Sequence, residues 1–289
     1  MSVTLIAGAT ASGKSTYALE RASRCDGVII NADSMQVYDA LRVLTARPSP
    51  EDEAAVPHRL YGHVAASDTY SVARWVRDVM ALVEQAKADG QPVFIVGGTG
   101  LYFRVLLEGL SPIPTIPQEV RDKWRSESVE RPVEDLHRVL LERDPLAAER
   151  LQSTDTQRIV RALEVIDGTG KSLVSWQSEP TQPFIPPGDC ECLLIERSRE
   201  DLHRRCDARL EQMFAEGAPE EVLALQALQL EASHMIMRAL GVRPLLSHSL
   251  GEISLDEALS RAQQETRQYV KRQATWHRRY MSSWKCIKT

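Results

Sequence analysis

Val3-Thr4-Leu5-Ile6-Ala7 leads without a break into Gly8-Ala9-Thr10-Ala11-Ser12-Gly13-Lys14-Ser15. No other stretch restricts the fold as much. The apolar run has the length and composition of a strand buried on both faces. The eight residues after it match G-x-x-x-x-G-K-S, the phosphate-binding P-loop. Gly8 and Gly13 let the backbone turn tightly and bring its N–H groups toward an anion. A helix beginning near Lys14 aims the positive end of its dipole at the same point. Lys14 adds a full charge, and the Ser15 hydroxyl is placed to meet a Mg²⁺ ion. Tyr17, Ala18 and Ala22 follow at helical spacing, a context that a plain Gly/Ser turn would lack. The pattern says that phosphates bind here, not which molecule carries them.

Three further apolar runs, Val28–Asn31, Val93–Val96 and Leu193–Glu196, read as buried parallel strands. Between the second and third strands, Val72, Trp75, Val76, Val79, Met80 and Val83 recur at helical spacing, and Gly90-Gln91-Pro92 ends that helix. Strand–helix–strand alternation predicts an α/β fold, a P-loop NTPase-like parallel sheet with helices on its faces. The pattern then breaks. Pro112, Pro114 and Pro117 open a stretch of helical periodicity, and Pro180, Pro183, Pro186 and Pro187 close it. The expected organisation is a core over residues 1–111, an inserted helical domain over 112–188, and the rest of the core over 189–289 with helices near 199–216, 219–230 and 256–282.

With 289 residues, 43% hydrophobic and 26% charged, the chain can build a sizeable core. No apolar run reaches membrane-spanning length, and the first residues enter a strand directly, so a cytoplasmic protein without membrane contact is expected. Five scattered cysteines give no disulfide framework, and Cys190-Glu191-Cys192 lacks the second pair of a zinc site. His58 and His63 have no completing ligands and read as structural. The net charge of −5 argues against indiscriminate nucleic-acid binding, although residues 261–289 hold eight Lys/Arg and one acid, Glu265.

Ligands in such sheets bind at the carboxyl ends of the strands. The first strand ends in the P-loop, the second in Asn31-Ala32-Asp33-Ser34 and the third in Gly97-Gly98-Thr99-Gly100. Asp33 is placed to hold Mg²⁺ through water or to accept a proton from a nucleophile; elsewhere such an Asp would be a helix cap. An ATPase often ends the third strand with an Asp that organises Mg²⁺ and water. Here stand two glycines, which admit a ligand close to the backbone, and Thr99, which donates one hydrogen bond and carries no charge. That suits a site that steadies a leaving oxygen. Arg205 and Arg209 share one helix face opposite Leu202, Cys206, Leu210 and Met213, and spacing leaves open whether they meet a diphosphate or solvent. Gln157, Arg158 and Arg161 lie on a helix of the insert. Tyr269, Trp276, Tyr280 and Trp284 form a stripe more often found in cores than stacked on bases.

Several blocks in order along the chain resemble tRNA dimethylallyltransferases, the family that prenylates the adenine beside the anticodon. They are Gly8–Ser15, Asp33-Ser-Met-Gln-Val-Tyr38, Thr45-Ala-Arg-Pro48, Pro57-His-Arg-Leu60, Gly97-Gly-Thr-Gly-Leu-Tyr102, Asp155-Thr-Gln-Arg-Ile-Val-Arg-Ala-Leu-Glu164 and Thr266-Arg-Gln-Tyr-Val-Lys-Arg-Gln-Ala-Thr-Trp276. The P-loop is shared with many families; the other blocks together are specific.

The resemblance implies that Gly8, Ala9, Thr10, Ala11, Ser12, Gly13, Lys14 and Ser15 hold the diphosphate of dimethylallyl diphosphate rather than ATP. Asp33 would take a proton from the adenine N6 amine as it attacks the allylic carbon. Thr99 would hydrogen-bond the diphosphate near the breaking C–O bond. Lys14, Arg209 and Mg²⁺ on Ser15 would neutralise the departing anion. Asp33, Ser34, Met35, Gln36, Thr99, Arg121, Gln157, Arg158, Ile159, Val160 and Arg161 would touch tRNA, with the inserted domain clamping the anticodon stem-loop and the base flipped out.

Val242 stands in Leu240-Gly241-Val242-Arg243-Pro244 where the family carries an aromatic; Arg238 and Arg243 remain as tRNA-facing candidates. The chain has no C-terminal zinc-finger segment of the kind found in some eukaryotic relatives, so a bacterial-type enzyme acting as a monomer is expected. Three other readings stay open: an isopentenyltransferase for free adenine nucleotides, a P-loop kinase, and a non-catalytic RNA-binding protein. The last has no need of Lys14, Asp33 and Thr99 at three strand tips.

Overall fold

The structure is a computed structural model and describes residues 2–289. Its sheet contains β1 (Val3–Gly8), β2 (Val28–Asn31), β3 (His58–Arg59), β4 (Val93–Gly97), β5 (Cys190–Glu196) and β6 (Lys285–Lys288). The order is β3-β2-β4-β1-β5-β6, and each pairing is parallel. The four strands expected from apolar runs form the centre. The two edge strands escaped the pattern for a physical reason. β3 is two residues long, and β6 sets Cys286 and Ile287 between two lysines, a charged flank that protects a sheet edge.

Helices α1 (Lys14–Ser23), α2 (Pro50–Ala55), α3 (Val72–Ala88) and α4 (Gly100–Glu108) follow the first strands. Next come α5 (Gln118–Glu130), α6 (Val133–Arg143), α7 (Pro145–Ala148), α8 (Thr156–Thr169) and α9 (Leu173–Gln177). After β5 stand α10 (Arg199–Ala215), α11 (Ala218–Ala227), α12 (Val242–Ser249) and α13 (Leu255–Tyr280). Side chains alternate across the strands, as the two-residue period requires. Ile6, Ile29, Phe94, Val96, Leu193 and Ile195 pack on one face with Ala18 and Ala22 of α1. Leu5, Ile30, Ile95 and Leu194 pack on the other face with Trp75, Phe103, Leu106 and residues of α10 to α13. Trp75 has no exposed surface and donates Nε1–H to Asn31 O at 2.8 Å, which anchors α3 under the end of β2.

The chain divides into two compact units. The first runs to Leu107 and resumes over Pro183–Thr289; the second is Glu108–Gln182. The second unit therefore begins and ends before the boundaries of 112 and 188 that the prolines suggest. Residues after Gln182 join the first unit because the N–H groups of Phe184 and Ile185 both donate to Leu106 O, at 2.9 and 3.0 Å, and Ile185 is buried in the main core. Among the described residues, the regular elements of the second unit are all helices, packed around Trp124, Leu136, Leu140, Ile159 and Leu163. No helix among the described residues is long and apolar enough to cross a membrane.

Candidate active site

Register brings the tips of β1, β2 and β4 level: Ala7 lies opposite Gly97, and Asn31 opposite Val96. Gly97 makes this possible, since a Cβ there would lie 2.0 Å from Ala32 O. Thr99 N–H in turn donates to Ala32 O at 3.2 Å. Ser34 N–H donates to Thr99 Oγ1 at 3.0 Å, and the Thr99 hydroxyl donates to Ser34 Oγ at 3.3 Å. The two glycines at the end of β4 were expected to admit a ligand. They instead admit protein groups: the Ala32 carbonyl at Gly97, and Gln273 Nε2, which a Cβ on Gly98 would approach to 2.5 Å.

The P-loop has its carbonyls tied back by protein donors. Ala9 O accepts from Ser12 N at 3.1 Å and from Lys14 Nζ at 3.3 Å. Thr10 O faces Cys206 Sγ at 3.8 Å. Ala11 O accepts from Arg205 Nε at 3.0 Å, and Ser12 O from Arg197 Nε at 2.9 Å. Arg205, expected to meet a phosphate or solvent, therefore holds loop backbone through Nε. These bonds engage loop carbonyls that would otherwise repel an anion; the Thr10 and Ser12 N–H groups are themselves bonded, to Gln273 Oε1 at 2.9 Å and to Ala9 O at 3.1 Å. Gly13 caps α1 at φ 92°, a left-handed position favoured by glycine. Over the loop lies a cavity of about 440 Å³ whose lining includes Gly13, Lys14, Ser15, Arg205 and Arg209. A second, of about 290 Å³, shares Ser15, Thr16 and Arg209 and continues to Gln36, Arg47 and Tyr61.

Charge in the site is unbalanced toward the cationic. Burial pushes the Lys14 amine down to about 8; the Asp33 carboxylate opposes this and the Arg209 guanidinium reinforces it. Burial also lowers Arg209, although a guanidinium stays protonated at neutral pH. Asp33 is half-buried. Its Oδ1 accepts from Met35 N at 3.0 Å, and its own N–H donates to Asn31 Oδ1 at 2.8 Å, so the carboxylate is held at the strand tip. Burial, then the Asp33 charge, raises the hydroxyls of Tyr61, Tyr102 and Tyr269.

The remaining expected site residues fall in several places. Gln36 donates Nε2–H to both Thr45 O and Ala46 O at 2.8 Å, so its amide braces the following loop. Met35 packs partly into the main core. Arg243 is exposed at the start of α12, Arg238 is exposed just before it, and Val242 beside them is fully buried. In the second unit, Arg158 and Arg161 are partly exposed on α8 and pair with Asp155 at 3.4 Å and Glu164 at 3.1 Å. Gln157 opens the same helix, and Arg121 on α5 has a buried Nε without a hydrogen-bond partner. Ile159 and Val160 point into the unit's core, because α8 turns that face inward. The stripe on α13 divides: Trp284 is buried against Phe103 at 5.4 Å, while Trp276 is half-buried against Tyr280 at 4.4 Å.

Three supporting residues were not singled out from sequence. Gln273, buried on α13, touches both the P-loop and Gly98. Glu221 accepts from the N–H groups of Arg42, Val43 and Leu44 at 2.7–3.0 Å and fixes the loop that leads to Arg47. Glu164, almost fully buried, binds Arg125 of α5 at 3.6 Å as well as Arg161. The available signal was a polar residue interrupting an apolar helical stripe, as Gln273 does after Thr266 and Val270.

As to a metal, no cluster of three or more His, Cys, Asp or Glu suited to one occurs among the described residues. The donor set at the P-loop is two exposed hydroxyls, Ser15 and Thr16, both lining the cavity. This fits Mg²⁺, which binds through few protein ligands and fills its sphere with phosphate oxygens and water. It does not fit a metal caged by protein.

The IPP transferase family model matches residues 36–280. A tRNA dimethylallyltransferase of Chelativorans sp. (strain BNC1) is 53% identical over 275 residues, covering 95% of this chain and 94% of the relative. The tRNA dimethylallyltransferase of Azorhizobium caulinodans is 50% identical over 280 residues, covering 97% and 90%. Among solved structures, a tRNA isopentenylpyrophosphate transferase from Bacillus halodurans superposes with a TM-score of 0.68 at 28% identity, covering 99% of this chain and 89% of that one. A eukaryotic dimethylallyltransferase acting on tRNA shares the fold at a TM-score of 0.82 and 23% identity, covering 100% and 74%.

Proposed function

The chain belongs to the IPP transferase family, and from that premise we propose that it moves a dimethylallyl group from dimethylallyl diphosphate to the N6 amine of the adenine next to the anticodon of tRNA. It is a prenyltransferase enzyme, like the relatives it matches across nearly its whole length. The observation that carries the finer reading is the meeting of three strand tips. The Gly98 position lies 3.4 Å from Asp33 Oδ2 and 3.6 Å from Gly8 O, measured from where a Cβ would stand. The strand ends that carry the proposed base, the proposed hydrogen-bond donor and the anion cradle therefore lie side by side.

In this reading the P-loop N–H groups, Lys14 and Arg209 hold the diphosphate. The adenine N6 lone pair attacks the allylic carbon, the C–O bond to the diphosphate breaks, and its electron pair leaves on the diphosphate oxygen. Asp33 accepts the N6 proton. The Thr99 hydroxyl turns from Ser34 Oγ to donate a hydrogen bond to the bridging oxygen as charge grows there, and keeps its proton. Fixed cations and donors stabilise that charge without reorganising, which is where most of the rate enhancement arises. Mg²⁺, held by Ser15 and by diphosphate oxygens, supplies further charge neutralisation when bound.

The exposed arginines suit RNA phosphates. Arg158 and Arg161, with Gln157 and Arg121, would serve in the helical unit, and Arg238 and Arg243 in the sheet unit. A tRNA substrate implies work in the cytoplasm, and the reading assigns these roles to a monomer. The test is product mapping. Purified tRNA is incubated with isotopically labelled dimethylallyl diphosphate and digested to nucleosides. Label on the adenosine beside the anticodon supports the reading; label on another nucleoside refutes the assigned position.

A further inference from the structure

Gln273 sits in the C-terminal half of α13 with 5% of its surface exposed. Its Oε1 accepts from Thr10 N at 2.9 Å, and its Nε2 donates to Gly98 O at 3.0 Å. The two bonds fix which end of the amide is which. They also join peptide units that follow two neighbouring strands, β1 and β4. The Ala9–Thr10 unit gives its N–H to Gln273 and its carbonyl to Lys14 Nζ. The Gly98–Thr99 unit gives its carbonyl to Gln273 and its N–H to Ala32 O. Each peptide plane is rigid, so a group that orients one side orients the other. Gly98 must be glycine for this contact, since a Cβ would meet Gln273 Nε2 at 2.5 Å.

We propose that Gln273 is a positioning residue for prenyl transfer: it sets the P-loop lysine and Thr99 in register across the diphosphate, without touching the reacting atoms itself. The proposal rests on the roles read above for Lys14 and Thr99. Its chemistry is specific. The position needs one acceptor and one donor on the same small planar group, and an amide supplies both. A carboxylate of the same shape supplies only acceptors and would set a negative charge against Gly98 O. A protonated carboxyl supplies both again.

The test replaces Gln273 by Glu and by Leu in the full chain. Activity is followed as kcat and KM for dimethylallyl diphosphate with saturating tRNA, from about pH 6 to about pH 9. Burial raises a carboxyl pKa, so the introduced group regains its proton toward the acid end. Ionisable groups around it are Asp33 of the β2 tip, Lys14 of the P-loop, Cys206 of α10 against Thr10 O, and His277 one turn along α13. Taking the ratio of variant to unaltered enzyme at each pH removes their shared titration. We expect kcat to fall about 10-fold or more in Gln273→Leu at every pH. We expect the Gln273→Glu ratio to climb as pH falls. A flat ratio, or a Gln273→Leu kcat equal to the unaltered enzyme, overturns the proposal. Thermal unfolding is recorded alongside; if Gln273→Leu does not fold, the pH ratio of Gln273→Glu decides. Thr99→Ala is measured in parallel. If it loses activity and the Gln273 variants do not, the positioning role alone fails. If Thr99→Ala keeps full activity, the reading of the site fails instead.

Discussion

Ser34 N–H donates to Thr99 Oγ1 at 3.0 Å, so the residue after the proposed base is tied to the proposed leaving-group donor from the neighbouring strand. With the Thr99 N–H on Ala32 O and the Thr99 hydroxyl on Ser34 Oγ, this bond couples the tip that carries the proposed base to the tip that carries the proposed leaving-group donor.

If Asp33 takes the N6 proton as proposed, Asp33→Ala lowers turnover by about 10² or more. tRNA binding should weaken much less. The check is single-turnover transfer together with filter binding of tRNA; near-normal turnover removes Asp33 from the base role.

Lys14 gives the site a pH signature. Its amine is held down to about 8 by burial, and the protonated form is the one that binds an anion. Diphosphate affinity should therefore decline as pH rises through about 8, with proton uptake on binding above that value. Calorimetry in two buffers of different ionisation enthalpy reads the uptake. Affinity independent of pH between about 7 and about 9 would contradict the assignment.

His277 predicts an acid limb in stability. Burial first, and then the Lys14 charge, hold its pKa at about 4, against an ordinary value of 6.5. Between those values the unfolded chain binds a proton that the folded chain does not. Stability should thus be fully present above pH 6.5 and fall as pH drops toward 4, by on the order of 3 kcal/mol. Urea unfolding at several pH values measures it; His277→Leu should flatten the limb, and an unchanged limb in that variant would assign it elsewhere.

Arg158 and Arg161 are expected to bear on RNA phosphates, so replacing both by Ala should weaken tRNA binding and lower the salt slope by about 1 to 2 units. Glu164 keeps Arg125 at 3.6 Å in that variant, which limits the structural cost. Affinity for dimethylallyl diphosphate should hardly change. Equal slopes and equal affinities would mean that these arginines form a solvated helix face.

Much of this was legible in the sequence because it is local. The P-loop, Asp33 and Thr99 each follow an apolar run that ends where the strand ends, and parallel pairing then aligns the tips. What stayed hidden depends on partners distant in the chain. Gln273 bonds Thr10 and Gly98, 263 and 175 residues away, and nothing in its own block specifies either. Glu221 braces backbone N–H groups about 180 residues earlier, at Arg42, Val43 and Leu44, which carry no side-chain signal. The edge strands were missed because their pairing is set by the neighbour, not by an apolar pattern. The glycines after β4 were visible, but which atoms fill the space they leave depends on the folded chain.

The central claim is that this P-loop holds the diphosphate of an allylic donor for transfer to tRNA, and acceptor choice tests it most directly. Labelled dimethylallyl diphosphate is offered with tRNA, with AMP or with no acceptor, and phosphate release from ATP is followed in a parallel sample. Label should enter tRNA, AMP should stay unlabelled, and ATP should release negligible phosphate. Transfer to AMP in preference to tRNA, or robust phosphate release from ATP without prenyl transfer, would contradict the account.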